Sequence, residues 1–190
     1  MVNTSGAITI FDLALDLYLL FSRLTEARAH GQEVHGPDQL ALALATRGHP
    51  PLVLEDHPWL QEVASRLGNR GVTEVSFLSH LSPDQAWTAD IDTAVTVAAG
   101  AIPETGSILI NALSPLAFRL SLRPRKQIVI VPADRATLTL AQALEWTAQE
   151  PSGLVSWLTG PSRTADIEKT LVLGAQGAES LEVLIYTPET

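Results

Sequence analysis

The stretch Gly153-Leu154-Val155-Ser156-Trp157-Leu158-Thr159-Gly160-Pro161-Ser162-Arg163-Thr164-Ala165-Asp166-Ile167-Glu168 decides how this chain is read. Its first half, through Leu158, is an apolar run of strand length. Gly160-Pro161 is turn chemistry. Beyond it, Ile167, Leu171 and Val172 stand at helical spacing, which predicts a helix over 164–172. The stretch therefore reads as strand, turn, helix, the repeating unit of an α/β protein. On this reading Ser162, Arg163 and Thr164 stand at a helix start, where unpaired N–H groups and a partial positive charge gather. Two readings remain open. Thr164 caps the helix, with Asp166 and Glu168 placed well in its first turn. Alternatively Ser162, Arg163 and Thr164 hold a charged or phosphorylated group. The two acids weaken the attraction for a free anion, so a carboxylate partner of Arg163 competes with a phosphate. The stretch lacks the lysine of a phosphate loop.

Outward from it the pattern repeats. Ile128-Val129-Ile130-Val131 is four β-branched residues and predicts a buried strand. A helix over 137–149 follows, with Thr137 as its cap and Pro151 beyond its end. Residues 181–186 close the chain as a strand. Upstream, 92–99 and 107–110 flank the turn Pro103-Glu104-Thr105-Gly106 and predict an antiparallel hairpin. Residues 114–121 read as a short helix. In the first half, 8–29 reads as one long helix with Leu13, Leu17, Leu20 and Leu24 on a wide apolar face. That face packs into the domain or against a second copy in a homo-oligomer. Residues 31–36 read as a polar connection, 37–45 and 60–67 as helices, and 52–54 and 72–78 as strands. The fold expected is a three-layer α/β sandwich, with a mostly parallel sheet, one hairpin and an N-terminal helix. The expected division is a helical extension over 1–36 and an α/β domain over 37–190.

Composition narrows function. With 46% apolar and 17% charged residues the chain is globular rather than disordered. A formal charge of −9 argues against nucleic acid and against an anionic membrane surface as partners. There is no cysteine, so disulfides, thiolate metal sites and a cysteine nucleophile are excluded within these residues. Asp12 and Asp16 interrupt the first apolar stretch, so neither a signal peptide nor a spanning helix is expected, and the cytoplasm is the expected location. His30, His35, His49, His57 and His80 form no metal-ligand spacing. Arg119, Arg123, Arg125 and Lys126 make a basic run, read as a solvated face or as a source of one arginine for a pocket. The four tryptophans read as core or rim aromatics. No cofactor is expected, and no G-x-S-x-G element is present.

Three segments carry a family resemblance. Residues 160–168, GPSRTADIE, resemble the C-terminal signature of the lactate-utilisation protein C family, the LUD domain proteins. Glu104-Thr105-Gly106-Ser107 resembles that family's E/D-T-G-T/S turn. Residues 122–131, with Pro124, resemble its L-x-P-x-x-H-I-x-V-V segment. Gly174-Ala175-Gln176-Gly177-Ala178 is similar to its G-x-H-G-P turn. The likeness covers about 88–187. Gln127 and Gln176 stand where the family has histidines, and glutamine cannot move a proton near neutral pH. The resemblance implies a fold related to CoA-transferases and ribose-phosphate isomerase. It implies a role beside iron–sulfur subunits that oxidise L-lactate to pyruvate. The alternative is an independent binder or enzyme for a phosphate, nucleotide or CoA-type molecule. The candidate binding residues are Glu104, Thr105, Gly106, Ser162, Arg163, Thr164, Asp166 and Gln176. No residue is assigned as catalytic.

Overall fold

A computed structural model describes residues 10–82, 84–85, 91–111, 115–150, 154–165, 171–173 and 177–189. In chain order the elements are α1 (Ile10–Glu26), β1 (His30–His35), α2 (Gly36–Arg47), β2 (Leu52–Leu54), α3 (Pro58–Gly68), β3 (Val75–Phe77) and β4 (Thr93–Val97). Then come β5 (Gly100–Ile102), β6 (Ser107–Asn111), α4 (Pro115–Leu120), β7 (Lys126–Pro132), α5 (Leu140–Gln149) and β8 (Val155–Leu158). The last are β9 (Arg163–Ala165), β10 (Leu171–Leu173) and β11 (Ser180–Thr187).

The β-branched run Ile128 to Val131 lies in β7, near the middle of a six-stranded sheet ordered β1-β11-β7-β4-β2-β3. Every pairing in this sheet is parallel. Parallel sheets need cover on both faces, which is why their strands are continuously apolar. Ile128 and Ile130 face one layer with Leu184 and Tyr186 of β11. Leu40 and Leu44 of α2 and Leu60, Val63 and Leu67 of α3 complete that core. Val129 and Val131 face the other layer, with Val183 and Ile185 of β11 and Leu20 and Leu24 of α1. A second, antiparallel sheet, β5-β6-β8, packs there through Ile108 and Ile110. Leu109, between them, points the opposite way and packs with Ala143 and Trp146 of α5. Each fully buried Leu or Ile contributes about 1.5–3 kcal/mol. The α/β sandwich expected from the pattern is the fold observed.

Several local expectations are corrected. Residues 30–35 are not a connection but the edge strand β1, paired with β11. Its polar sequence suits an edge, and Val34 alone is fully packed. The hairpin is shorter than 92–111. β4 belongs to the parallel sheet, and the chain changes sheets at Ala98 and Ala99. Ala98 N–H donates to Ile130 C=O and Ala99 N–H to Leu109 C=O, both at 2.8 Å. The helix after β7 is capped at Thr139, not Thr137, in a reciprocal capping box with Gln142. The expected helix over 164–172 is a hairpin within the described residues: β9 pairs antiparallel with β10, Arg163 opposite Leu173 and Ala165 opposite Leu171. Helical spacing over so few residues is a weak prior, and strand pairing overrides it here.

A polar cluster ties the strand starts together. Glu182 of β11 accepts from Arg47 Nη1 at 2.6 Å, and Arg47 Nη2 donates to Gln32 Oε1 at 2.6 Å. Lys126 Nζ donates to Arg47 C=O at 2.8 Å. One cluster thus links the end of α2 to β1, β7 and β11. The shared core around Ile130 makes the clearest stability prediction. Ile130→Ala leaves a cavity between β7 and the helices α2 and α3 and lowers unfolding free energy by about 2–5 kcal/mol in urea titration. A loss under about 1 kcal/mol would contradict the central placement of β7.

Candidate functional site

The turn after β8 crosses the beginnings of β7 and β11 and leaves a cavity of about 190 Å³. Its wall draws on four stretches: Ser121 and Leu122 before β7, Gln127 within it, residues 157–162, and Gly177, Ala178 and Leu181 leading into β11. Two backbone bonds hold the walls in place. Ser162 N–H donates to Ala178 C=O at 2.8 Å, and Glu179 N–H donates to Arg125 C=O at 2.8 Å. Gly160 has φ +91°, and a Cβ there would sit 2.7 Å from Ala27 C=O. Only glycine fits that combination of left-handed backbone and close approach.

Gln127 is the polar residue of an otherwise apolar row. It is 1% exposed and precedes Val129 and Val131 on the same face. Its Nε2 donates to Thr96 Oγ1 at 2.8 Å, while its Oε1 has no partner. An unpaired buried acceptor costs about 1–3 kcal/mol. Turning the amide over exchanges an orphaned oxygen for an orphaned N–H₂, so one end lacks a partner either way. Trp157, Leu158, Pro161 and Leu181 give the wall its apolar surface, and Ser121, Thr159 and Ser162 add polar groups to it. Such a space, with few fixed polar groups, suits a small organic molecule.

The expected site residues divide. Thr105 Oγ1 donates to Ser107 Oγ at 2.8 Å, and Ser107 Oγ lies 2.7 Å from Thr159 Oγ1. That chain connects the 104–107 turn to the cavity wall. Gly106, at φ +68°, lets the turn pack on α1, where a Cβ would meet that of Arg23 at 2.7 Å. Glu104 is exposed on the turn and does not line the cavity. Ser162 is in the wall. Arg163 and Thr164 stand in the strand β9, paired with β10, and not at the helix start expected for them. Asp166 and Gln176 lie outside the described residues. Of the basic run, Lys126 joins the Glu182 cluster and Arg125 approaches Glu179 at 3.6 Å on the surface. Neither Arg119 nor Arg123 lines the cavity. Among the described residues no three His, Asp or Glu side chains cluster as metal ligands, and no helix is long and apolar enough to cross a membrane. Sequence reasoning marked Gln127 as a departure from a family histidine but not as a wall residue. It missed Ser121, Thr159 and Leu181. Their one signal is adjacency to the marked segments.

At the opposite, C-terminal end of the strands, Glu55 follows β2 and accepts from Val97 N–H at 2.7 Å. Burial pushes its carboxyl above the ordinary 4.5; the Val97 bond opposes this and the neighbouring Asp56 charge adds to it.

This geometry defines an α/β domain with a cavity at the starts of its central strands. The LUD domain family model matches residues 86–186, more than half the chain. The chain belongs to the LUD domain family. It is 34% identical over 111 residues to a protein named lactate utilization protein C from Deinococcus radiodurans, covering 57% of this chain and 50% of that one. A Bacillus subtilis protein of the same name is 25% identical over 145 residues, covering 67% and 58%. One from Exiguobacterium is 30% identical over 93 residues, covering 45% and 40%. The chain thus spans about half the length of the curated relatives it matches. The crystal structure of a DUF162 family protein from Deinococcus radiodurans superposes with TM-score 0.63 at 21% identity, covering 92% of this chain and 98% of that one. At that identity the likeness shows the fold.

Two predictions follow from these positions. Gly160→Ala strains the turn and costs about 1–3 kcal/mol of stability by thermal or urea unfolding; an unchanged midpoint would remove the close approach to Ala27. For Glu55, a folded pKa above the unfolded value means the folded state binds more protons, so stability falls as pH rises from about 4.5. Glu55→Gln keeps an acceptor for Val97 and cannot titrate. Its stability relative to the parent therefore rises with pH above about 4.5 in urea titrations from pH 4 to 8, and a pH-independent difference would refute this.

Proposed function

We propose that this chain serves lactate utilisation as a non-redox component, holding a small 2-hydroxy acid in the cavity above Gln127 beside partner subunits that carry iron–sulfur clusters. One observation carries the reading. The Pro124 segment, the 104–107 turn, the GPSRTADIE start and the Gly177-Ala178 turn all converge on that single cavity or its wall. The family membership and the relatives named lactate utilization protein C support the metabolic assignment. Oxidising lactate to pyruvate removes two electrons and two protons from the substrate. These 190 residues contain no cysteine, so they offer no thiolates for a cluster to receive those electrons. On this reading an iron–sulfur cluster that takes the electrons is held outside these residues, and these residues bind, position or report the substrate.

Deleting the gene in its native organism is expected to abolish growth on L-lactate as sole carbon source, with growth restored by the intact gene. The tagged chain is expected to co-purify with cysteine-rich iron–sulfur proteins after gentle lysis. Normal lactate growth together with isolation of the chain alone would overturn the proposal. It would leave a small-molecule binder outside lactate metabolism.

A further inference from the structure

We propose that the open edge of β1 is a self-association surface, on which a second copy of this chain pairs antiparallel about a twofold axis at Gln32 and continues the parallel sheet across both copies. β1 pairs with β11 on one side, and the strand order leaves its other side open. Which backbone groups are offered there follows from the bonds at its two ends. Backbone groups point alternately to either side of a strand. His35 N–H donates to Gln39 Oε1 at 3.0 Å and so points away from β11. By alternation Gly31 and Glu33 point the same way. Upstream, Ala29 N–H is taken by Leu24 C=O at 2.8 Å. Both ends of the outward row are thus taken, and Gly31 and Glu33 are left between them. Among the described residues, no bond outside the pairing with β11 uses their backbone groups.

Two such residues on either side of an axis are self-complementary. Antiparallel pairing about Gln32 puts Gly31 of each copy opposite Glu33 of the other, and each pair exchanges both N–H···O=C bonds. The side chains agree with this register. Gly31 lies against Phe21 and Leu24, and Glu33 lines a groove with Leu17 and Tyr18, so both face α1. Gln32 and Val34 face α2. A twofold axis perpendicular to the sheet keeps each face on its own side, so α1 meets α1 and α2 meets α2. Exposed apolar residues stand where that contact needs them: Leu13 and Tyr18 on α1 beside Glu33, and Leu42 on α2 beside Gln32. No charge falls directly opposite its own kind, since Glu33 meets a glycine. A bare peptide strand suits this edge poorly, because so short a ladder is marginal alone. A second copy brings matching apolar helix faces with its strand.

Sedimentation velocity on the full chain, across about a hundredfold range of concentration, tests this. The expected species is a dimer of twice 20.4 kDa. Glu33→Pro removes an outward donor, which an edge strand tolerates, and is expected to weaken dimerisation by about tenfold or more with little change in thermal midpoint. The residues include no cysteine, so single-cysteine variants report the register cleanly. Gln32→Cys sets two thiols directly opposite in a non-hydrogen-bonded pair, about 4.5 Å apart at Cα and within disulfide reach. Glu33→Cys sets them diagonally, about 7–8 Å apart and beyond it. Under mild oxidation Gln32→Cys is expected to become a cross-linked dimer and Glu33→Cys to remain largely uncross-linked. A chain that stays monomeric throughout, a dimer unaffected by folded Glu33→Pro, or cross-linking through Glu33→Cys as fast as through Gln32→Cys would overturn the proposal. If Glu33→Pro fails to fold, the two cysteine variants decide.

Discussion

The rest of the molecule depends on the burial of β7 between β4 and β11. A parallel strand in that position has its backbone groups paired on both sides and its side chains covered on both faces. The cover on one face comes from α2 and α3, joined to the sheet by short segments. On the other it is composite: α1, α4 and the antiparallel sheet β5-β6-β8 share it. A composite cover has seams. The cavity lies at such a seam, where β8 ends at Leu158 and the chain turns through Gly160 over the first residues of β7 and β11. It is a consequence of how the second sheet meets the first.

Polar groups inside this structure are paired, and the pairings explain where they stand. Glu182 meets Arg47 and Lys126 at the strand starts. Glu55 meets a backbone N–H at the strand ends. Thr96 meets Gln127. Breaking any of these strands a buried group and costs more than the bond itself is worth. Gln127 Oε1 departs from that rule among the described residues, and it does so in the wall of a cavity. Valine or leucine there would match the apolar flanking residues of the row but would leave the buried Thr96 hydroxyl without its amide partner.

Much of the fold was legible in the residues themselves. Ile128 to Val131 announces a buried strand, the leucines of α1 announce an amphipathic helix, and Pro103 to Gly106 announces a turn. Each is a local pattern of period or turn chemistry, so each survives without knowledge of the partner. The segments that converge on the cavity were also marked in advance, through Thr105, Gly106, Ser162 and Gln127. What was misread shares one cause. His30 to His35 has no apolar alternation and becomes a strand only because β11, some 150 residues later, offers it an edge. Residues 163–165 look like a helix start until β10 pairs with them. β4 reads as half of a hairpin until Ala98 and Ala99 divide their hydrogen bonds between two sheets.

By itself, the sequence determined the α/β class, the central strand, the lack of thiolates within these residues and several of the segments that border the cavity. Those follow from composition, from side-chain period and from turn residues, all of which act within a few residues of chain. The tertiary structure decided which strand sits beside which, where the second sheet lies, and that Gln127, Thr159, Ser162 and Gly177 share one wall. Hydrogen-bond pairing and burial operate between residues distant in sequence, and only the folded chain brings an unpaired amide and an apolar space to the same place.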